Sequence, residues 1–170
     1  MMDRIHLQWI SKISHPEYEY TLCEKDETLL RMRFNYRHST YSAECTGPDG
    51  DFVIDRKGFF KSTIVLRKNG IETGRLSTKN WWSQSGIAEM EGEKLEFEIG
   101  NNPLAEIRFL HRGHLLSVCG FKPANGKLRF NISTTTHFDK HPFSAYLLAL
   151  SWYILLPGAT EEGLDILTFI

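Results

Sequence analysis

Apolar and polar residues alternate along most of the chain. Ile5, Leu7 and Trp9 are separated by His6 and Gln8, and Tyr18, Tyr20 and Leu22 by Glu19 and Thr21. Leu30, Met32, Phe34 and Tyr36 interleave with Arg31, Arg33, Asn35 and Arg37. The same period returns at Leu95, Phe97 and Ile99, and again at Leu128, Phe130 and Ile132. A two-residue period sends successive side chains to opposite faces of a sheet, so each segment predicts a strand with one face in a core and one in water. A single wet face marks antiparallel sheets, because parallel sheets are usually covered on both sides. Strand-like segments fall near residues 4–13, 17–24, 28–38, 40–46, 51–56, 59–68, 71–78, 86–91, 93–99, 104–111, 114–121 and 127–134. Between them stand Gly47-Pro48-Asp49-Gly50, Lys68-Asn69-Gly70, Gly100-Asn101-Asn102-Pro103, Arg112-Gly113 and Ala124-Asn125-Gly126. Asn-Gly supplies the positive φ that a tight hairpin turn requires.

The period ends at residues 143–156, FSAYLLALSWYILL, which carry no charge. Pro142 precedes this run at a first-turn position, Asp139 lies within capping reach, and Pro157-Gly158 is predicted to stop it. A helix of this length spans about 21 Å. A membrane span needs about 20 apolar residues, so no transmembrane helix is expected. A helix that is apolar on every face must nevertheless be surrounded. Twelve strands about 4.8 Å apart and tilted about 40° close into a ring about 24 Å across. After inward side chains take their share, about the 10–12 Å diameter of a helix remains. The expected architecture is therefore mainly β: one domain over residues 1–170, an antiparallel barrel of about twelve strands enclosing a C-terminal apolar helix at about 142–156. Inside that helix Ser144 and Ser151 share a face, and both hydroxyls are expected to be hydrogen-bonded.

Composition adds exclusions more than assignments. At 170 residues the chain can bury a full core as one domain. A net charge of −1 argues against a nucleic-acid partner, which calls for a basic footprint. Cys23, Cys45 and Cys119 are odd in number and widely spaced, so free thiols are expected in place of a disulfide framework or zinc ribbon. The first eleven residues lack an apolar signal core, which leads to a cytoplasmic expectation, with association at a membrane periphery allowed.

About a dozen antiparallel strands from Ile5 to Thr134, then the apolar run 143–156, resemble the tubby C-terminal-domain superfamily, which includes the LURP-one-related and phospholipid scramblase families. The stretch 50–58, GDFVIDRKG, is similar to the early hairpins of that superfamily. The resemblance is architectural and spans nearly the whole chain. It implies a closed barrel around a hydrophobic helix, and activities that range from phosphoinositide binding in tubby proteins to lipid scrambling in scramblases. No local motif carries over the phosphoinositide-binding residues. The acidic calcium segment expected before the last helix of a scramblase is reduced here to Asp139, and the cysteine-rich palmitoylation run is absent. Scrambling is therefore not expected.

Basic residues offer the first candidate chemistry. Arg31, Arg33 and Arg37 form an outward stripe if Leu30, Met32 and Phe34 point inward. Arg56, Lys57 and Lys61 lie around Gly58, and Arg67 and Lys68 end the next strand. Arginine forks match phosphate oxygens, so these groups are candidate headgroup ligands; the competing reading is a solvated face of cross-strand charge pairs. Trp81-Trp82 is a candidate membrane or partner contact, or a cover for the barrel end. His111 and His114 near Cys119, and His137 with His141, invite a metal reading, but exposed hairpin and rim histidines are expected, with no metal and no cofactor. No nucleophile elbow, zinc-protease, phosphate-loop or dinucleotide motif is present, and no catalytic residue is assigned. The expected function is a non-catalytic module that binds anionic phospholipid or phosphoinositide headgroups. The alternatives are a protein-interaction or structural domain without a small ligand, and an unrecognised hydrolase or lipid-handling enzyme.

Overall fold

The computed structural model describes residues 2–3, 7–14, 17–37, 40–57, 63–78, 84–101, 105–124 and 127–161. Thirteen strands precede two helices: β1 (Met2–Asp3), β2 (Leu7–Ser14), β3 (Glu17–Glu24), β4 (Glu27–Arg37), β5 (Thr40–Gly47), β6 (Gly50–Lys57) and β7 (Thr63–Lys68). There follow β8 (Ile71–Thr78), β9 (Ser85–Met90), β10 (Glu93–Asn101), β11 (Ala105–His111), β12 (His114–Ala124), β13 (Lys127–Thr134), α1 (Thr136–Asp139) and α2 (Ser144–Glu161). Every strand from β2 to β13 pairs antiparallel with its neighbours in sequence. The short β1 pairs with β13, Met2 opposite Thr134, and β2 approaches β13 to bring the two ends of the sheet together. With twelve long strands alternating in direction, the first and last run antiparallel, which allows the nearly closed barrel. At most strands the observed limits lie within two residues of the segments read from the alternation.

The alternation sorts side chains as expected. Leu7, Trp9, Tyr20, Leu22, Leu30, Met32, Phe34, Leu95, Phe97 and Ile132 are buried, and Gln8, Arg31, Arg33, Glu96 and Glu98 are exposed. The tight turns sit at one rim. Asn69-Gly70 and Arg112-Gly113 take positive φ at both positions (52° and 78°, 52° and 76°), and Glu91-Gly92 does the same at 49° and 87°. Glu91 and Arg112 adopt without a glycine's freedom what Asn69 adopts readily, and the Glu91-Gly92 turn was not among those read from the sequence. The connections at the opposite rim fall largely outside the described residues.

Helix α2 fills the barrel. Residues 147 to 153 are buried without a break, so protein surrounds two full turns on every side. Its side chains reach different walls. Trp152 stacks on Trp9 of β2 at 5.0 Å between ring centres and meets the edges of Tyr20 of β3 (5.3 Å) and Phe130 of β13 (4.8 Å). Tyr153 stacks on Phe34 of β4 at 6.0 Å, and Tyr146 meets Phe52 of β6 edge-on at 4.7 Å. On β12 the Cys119 thiol faces Ser151, whose hydroxyl donates to the Leu147 carbonyl at 2.8 Å. Ser151 is thus bonded as expected. Ser144 is half-buried at the start of the helix and lines an open depression.

Two local expectations at the helix ends are corrected. Pro142 lies in the turn ahead of α2, not in its first turn, and Asp139 is the last residue of α1. The Phe143 carbonyl accepts the first helical bond, from Leu147 N–H at 2.9 Å, and the Phe143 N–H points to His141 Nδ1 at 3.4 Å. Pro157-Gly158 does not stop the helix, which continues to Glu161. Pro157 withholds one N–H from the carbonyl four residues back and crowds it with its ring, but a helix enclosed from Leu147 to Tyr153 has its direction set before that loss. Among the described residues, no helix is long and apolar enough to cross a membrane.

Two outcomes follow from this core. Trp152→Ala should lower the free energy of unfolding by about 3–5 kcal/mol, read from urea titration, because it empties the space where both ends of the sheet meet. A loss under about 1 kcal/mol would show that the indole is not enclosed by the barrel. Burial raises the thiol pKa of Cys45 above its ordinary value and pushes that of Cys119 up to about 12, against 9.0 for the free side chain. Both thiols are therefore held in the protonated, unreactive form at neutral pH. In the native protein at pH 8, half-buried Cys23 should react with a thiol reagent first, and Cys45 and Cys119 only after unfolding. Three equally fast thiols would contradict the enclosed core.

Candidate functional site

Most of the described cations singled out from the sequence lie on the outer wall, whereas Arg56 continues the inward row of Phe52 and Ile54 on β6, and the register sets what stands beside them. Arg33 of β4 is opposite Glu19 of β3 on one side and Glu44 of β5 on the other. The same cross-strand row continues through Val53 of β6 and Arg67 of β7 to Glu72 of β8. Charge therefore alternates across the wall. Arg33 Nη2 lies 3.8 Å from Glu19 Oε2, Arg67 Nη1 lies 3.1 Å from Asp55 Oδ2, and Lys57 Nζ lies 3.5 Å from Glu72 Oε2. Lys68 Nζ donates to the Asp49 carbonyl, and Arg56 is half-buried on β6. Arg31 is exposed between two hydroxyls, Thr21 on β3 and Thr46 on β5. The side chain of Arg37 and all of Lys61, Trp81 and Trp82 lie outside the described residues. Exposed pairs of this kind are worth about 0–1 kcal/mol each and weaken with salt, so they are readily exchanged.

A second constellation occupies the rim where α2 passes into the lumen. On β10 the inward row runs Glu93, Leu95, Phe97, Ile99; on β11 it runs Ala105, Ile107, Phe109, His111. Each row is apolar in the barrel and ends at this rim in a polar residue. Because the strands are antiparallel, the start of β10 and the end of β11 lie side by side, which brings Glu93 Oε1 to 3.0 Å from His111 Nε2. The turn leading into α2 adds His141, whose Nε2 stands 3.9 Å from Glu93 Oε2 and whose ring lies 5.4 Å from that of His111, nearly perpendicular. The His141 side chain is only 8% exposed. Desolvation lowers its pKa below the ordinary histidine value, the Glu93 carboxylate opposes that shift, and His111 adds to it. Since Nδ1 faces the Phe143 N–H, the proton of the neutral ring sits on Nε2, toward Glu93.

Each histidine pair noted in the sequence thus contributes one member. His111 and His141 converge, while His114 and His137 are exposed and Cys119 is buried against α2. Glu93 had no place in the sequence reading. The available signal was a charged residue at the end of an otherwise inward-facing row, beside a strand that ends the same way.

Around the same rim, Leu7, Leu22, Leu29, Leu30, Pro48 and Leu148 line an open depression of about 350 Å³, with Glu24 and Asp139 at its edge. In comparisons with protein-family models, curated proteins and solved structures, none matches the chain.

Proposed function

We propose that this protein is a non-catalytic binding module whose outer wall contacts anionic phospholipid headgroups at a membrane surface. The observation that carries the reading is the filled lumen. A barrel of about twelve strands has room for a small ligand, and here α2 takes that room, which leaves the exterior for recognition. On that exterior Arg31 offers an exposed guanidinium flanked by Thr21 and Thr46, and Arg33 stands two residues along the same face. A phosphate can accept from the guanidinium and from both threonine hydroxyls. The long Arg33–Glu19 pair is weak enough to be given up for a phosphate contact. The architectural resemblance to the tubby-like superfamily, some of whose members bind phosphoinositides, supports the same ligand class. The alternating charge on the wall limits the reading to a shallow, salt-sensitive contact.

The test is flotation of the full chain with neutral vesicles and with vesicles containing phosphatidylserine or phosphoinositide, at low and physiological salt. Binding to anionic vesicles alone is expected, weakened by salt and reduced about fivefold or more by Arg31→Gln combined with Arg33→Gln. Absence of flotation at low salt would sink the reading and favour a protein-interaction domain. Equal flotation of the double variant would remove these arginines from the site.

A further inference from the structure

We propose that Glu93, His111 and His141 bind one divalent transition-metal ion of the zinc class, with the fourth coordination position open at the rim. The first support is geometric. The three side chains come from the start of β10, the end of β11 and the turn before α2, and their ligand atoms all lie within 4.8 Å of one another. Donors on a tetrahedral zinc, each about 2.0–2.2 Å from the metal, are about 3.4 Å apart. The carboxylate approaches both imidazoles near that spacing, through Oε1 at 3.0 Å from His111 and through Oε2 at 3.9 Å from His141, and one donor atom from each residue keeps all three within 4.8 Å. Among the described residues, this is the group of three such side chains that meets the distance.

The second support is the donor set. Two imidazoles and one carboxylate suit zinc, cobalt, nickel or copper, whereas magnesium and calcium favour all-oxygen sites. Three protein donors with an open position also match the coordination of zinc sites that accept an exogenous donor. The third support is placement. Both strand-borne ligands end inward-facing rows that are otherwise apolar, and His141 is held by the turn that leads into the buried helix. The hydrophobic wall below the site therefore limits solvent on one side, and the rim leaves the other side open.

Loading the ion on His141 Nε2 moves that ring's proton to Nδ1 and gives up the bond from the Phe143 N–H, which at 3.4 Å is long and weak. The close Glu93–His111 contact is replaced by two metal bonds. His141 Nε2 stands beyond hydrogen-bond reach of Glu93 Oε2, at 3.9 Å, so the ring is aimed at the carboxylate without bonding to that oxygen.

The experiment is titration of the metal-stripped full chain with zinc chloride by calorimetry, followed by cobalt substitution read by visible absorption. One ion per chain in the micromolar range or tighter is expected, together with a cobalt spectrum of four- or five-coordinate intensity. Excess magnesium or calcium should not displace the ion. Glu93→Gln and His111→Ala should each weaken binding by about tenfold or more, and His114→Ala and His137→Ala should leave it unchanged. His111 and Glu93 are half-exposed at strand ends, so these variants test the site without emptying the core; far-ultraviolet circular dichroism confirms that each folds. Absence of zinc binding up to millimolar concentration would overturn the proposal. So would binding that survives Glu93→Gln and His111→Ala, or that is lost equally in the control variants.

Discussion

The structure depends on mutual enclosure. A helix that is apolar on every face has no stable place on a surface, and a ring of about twelve strands has an interior that its own side chains do not fill. Each solves the other's problem. The burial of α2 from Leu147 to Tyr153 removes about 1.5–3 kcal/mol of exposure cost per large side chain, gross of the entropy of ordering them. Trp152 has a particular part in this. Its indole touches Trp9, Tyr20 and Phe130, which belong to β2, β3 and β13, the strands on either side of the closure. Among the described residues, the sheet is joined there by the pairing of β1 with β13 and by the approach of β2 to β13. The helix thus packs on the strands at which the barrel closes.

Much of this was legible because the relevant physics is local. Alternation needs only neighbouring residues, and Asn69-Gly70 announces a turn by its own backbone preferences. The uncharged run 143–156 and the strand count together implied the enclosed helix. The errors arose where local preference met tertiary constraint. Pro157 reads as a stop, yet it follows a helix already fixed by its surroundings, and the missing N–H and crowded carbonyl do not reverse that. Glu91-Gly92 forms a tight turn although glutamate does not favour positive φ, because the pairing of β9 with β10 fixes the chain on both sides.

The candidate chemistry was less legible because it depends on register and convergence. The basic residues were visible, but their neighbours were not. The row from Glu19 through Arg33 and Glu44 to Arg67 and Glu72 exists only once six strands are aligned. Read along the chain, Arg31, Arg33, Arg56 and Arg67 look like accumulating positive charge. Read across the sheet, most of it is interleaved with carboxylates, and Arg31 with its threonine neighbours is the departure from that pattern.

The rim through which α2 passes carries polar residues at inward positions, and the helix is the reason. The rim through which α2 passes must admit a polar chain turn into an apolar lumen, so the inward rows of β10 and β11 change there from Leu95 and Phe109 to Glu93 and His111. Polar residues at inward positions are costly in the barrel and inexpensive at its mouth, where part of each side chain remains in water. The same transition that lets the helix enter also concentrates titratable groups in a half-buried setting. His141 is drawn into that setting by the turn that starts α2, so the residues that bring the helix into the barrel also gather the carboxylate and two imidazoles. Placement of this group is thus a consequence of enclosing the helix, and any ligand it takes would be coupled to the element on which the fold depends.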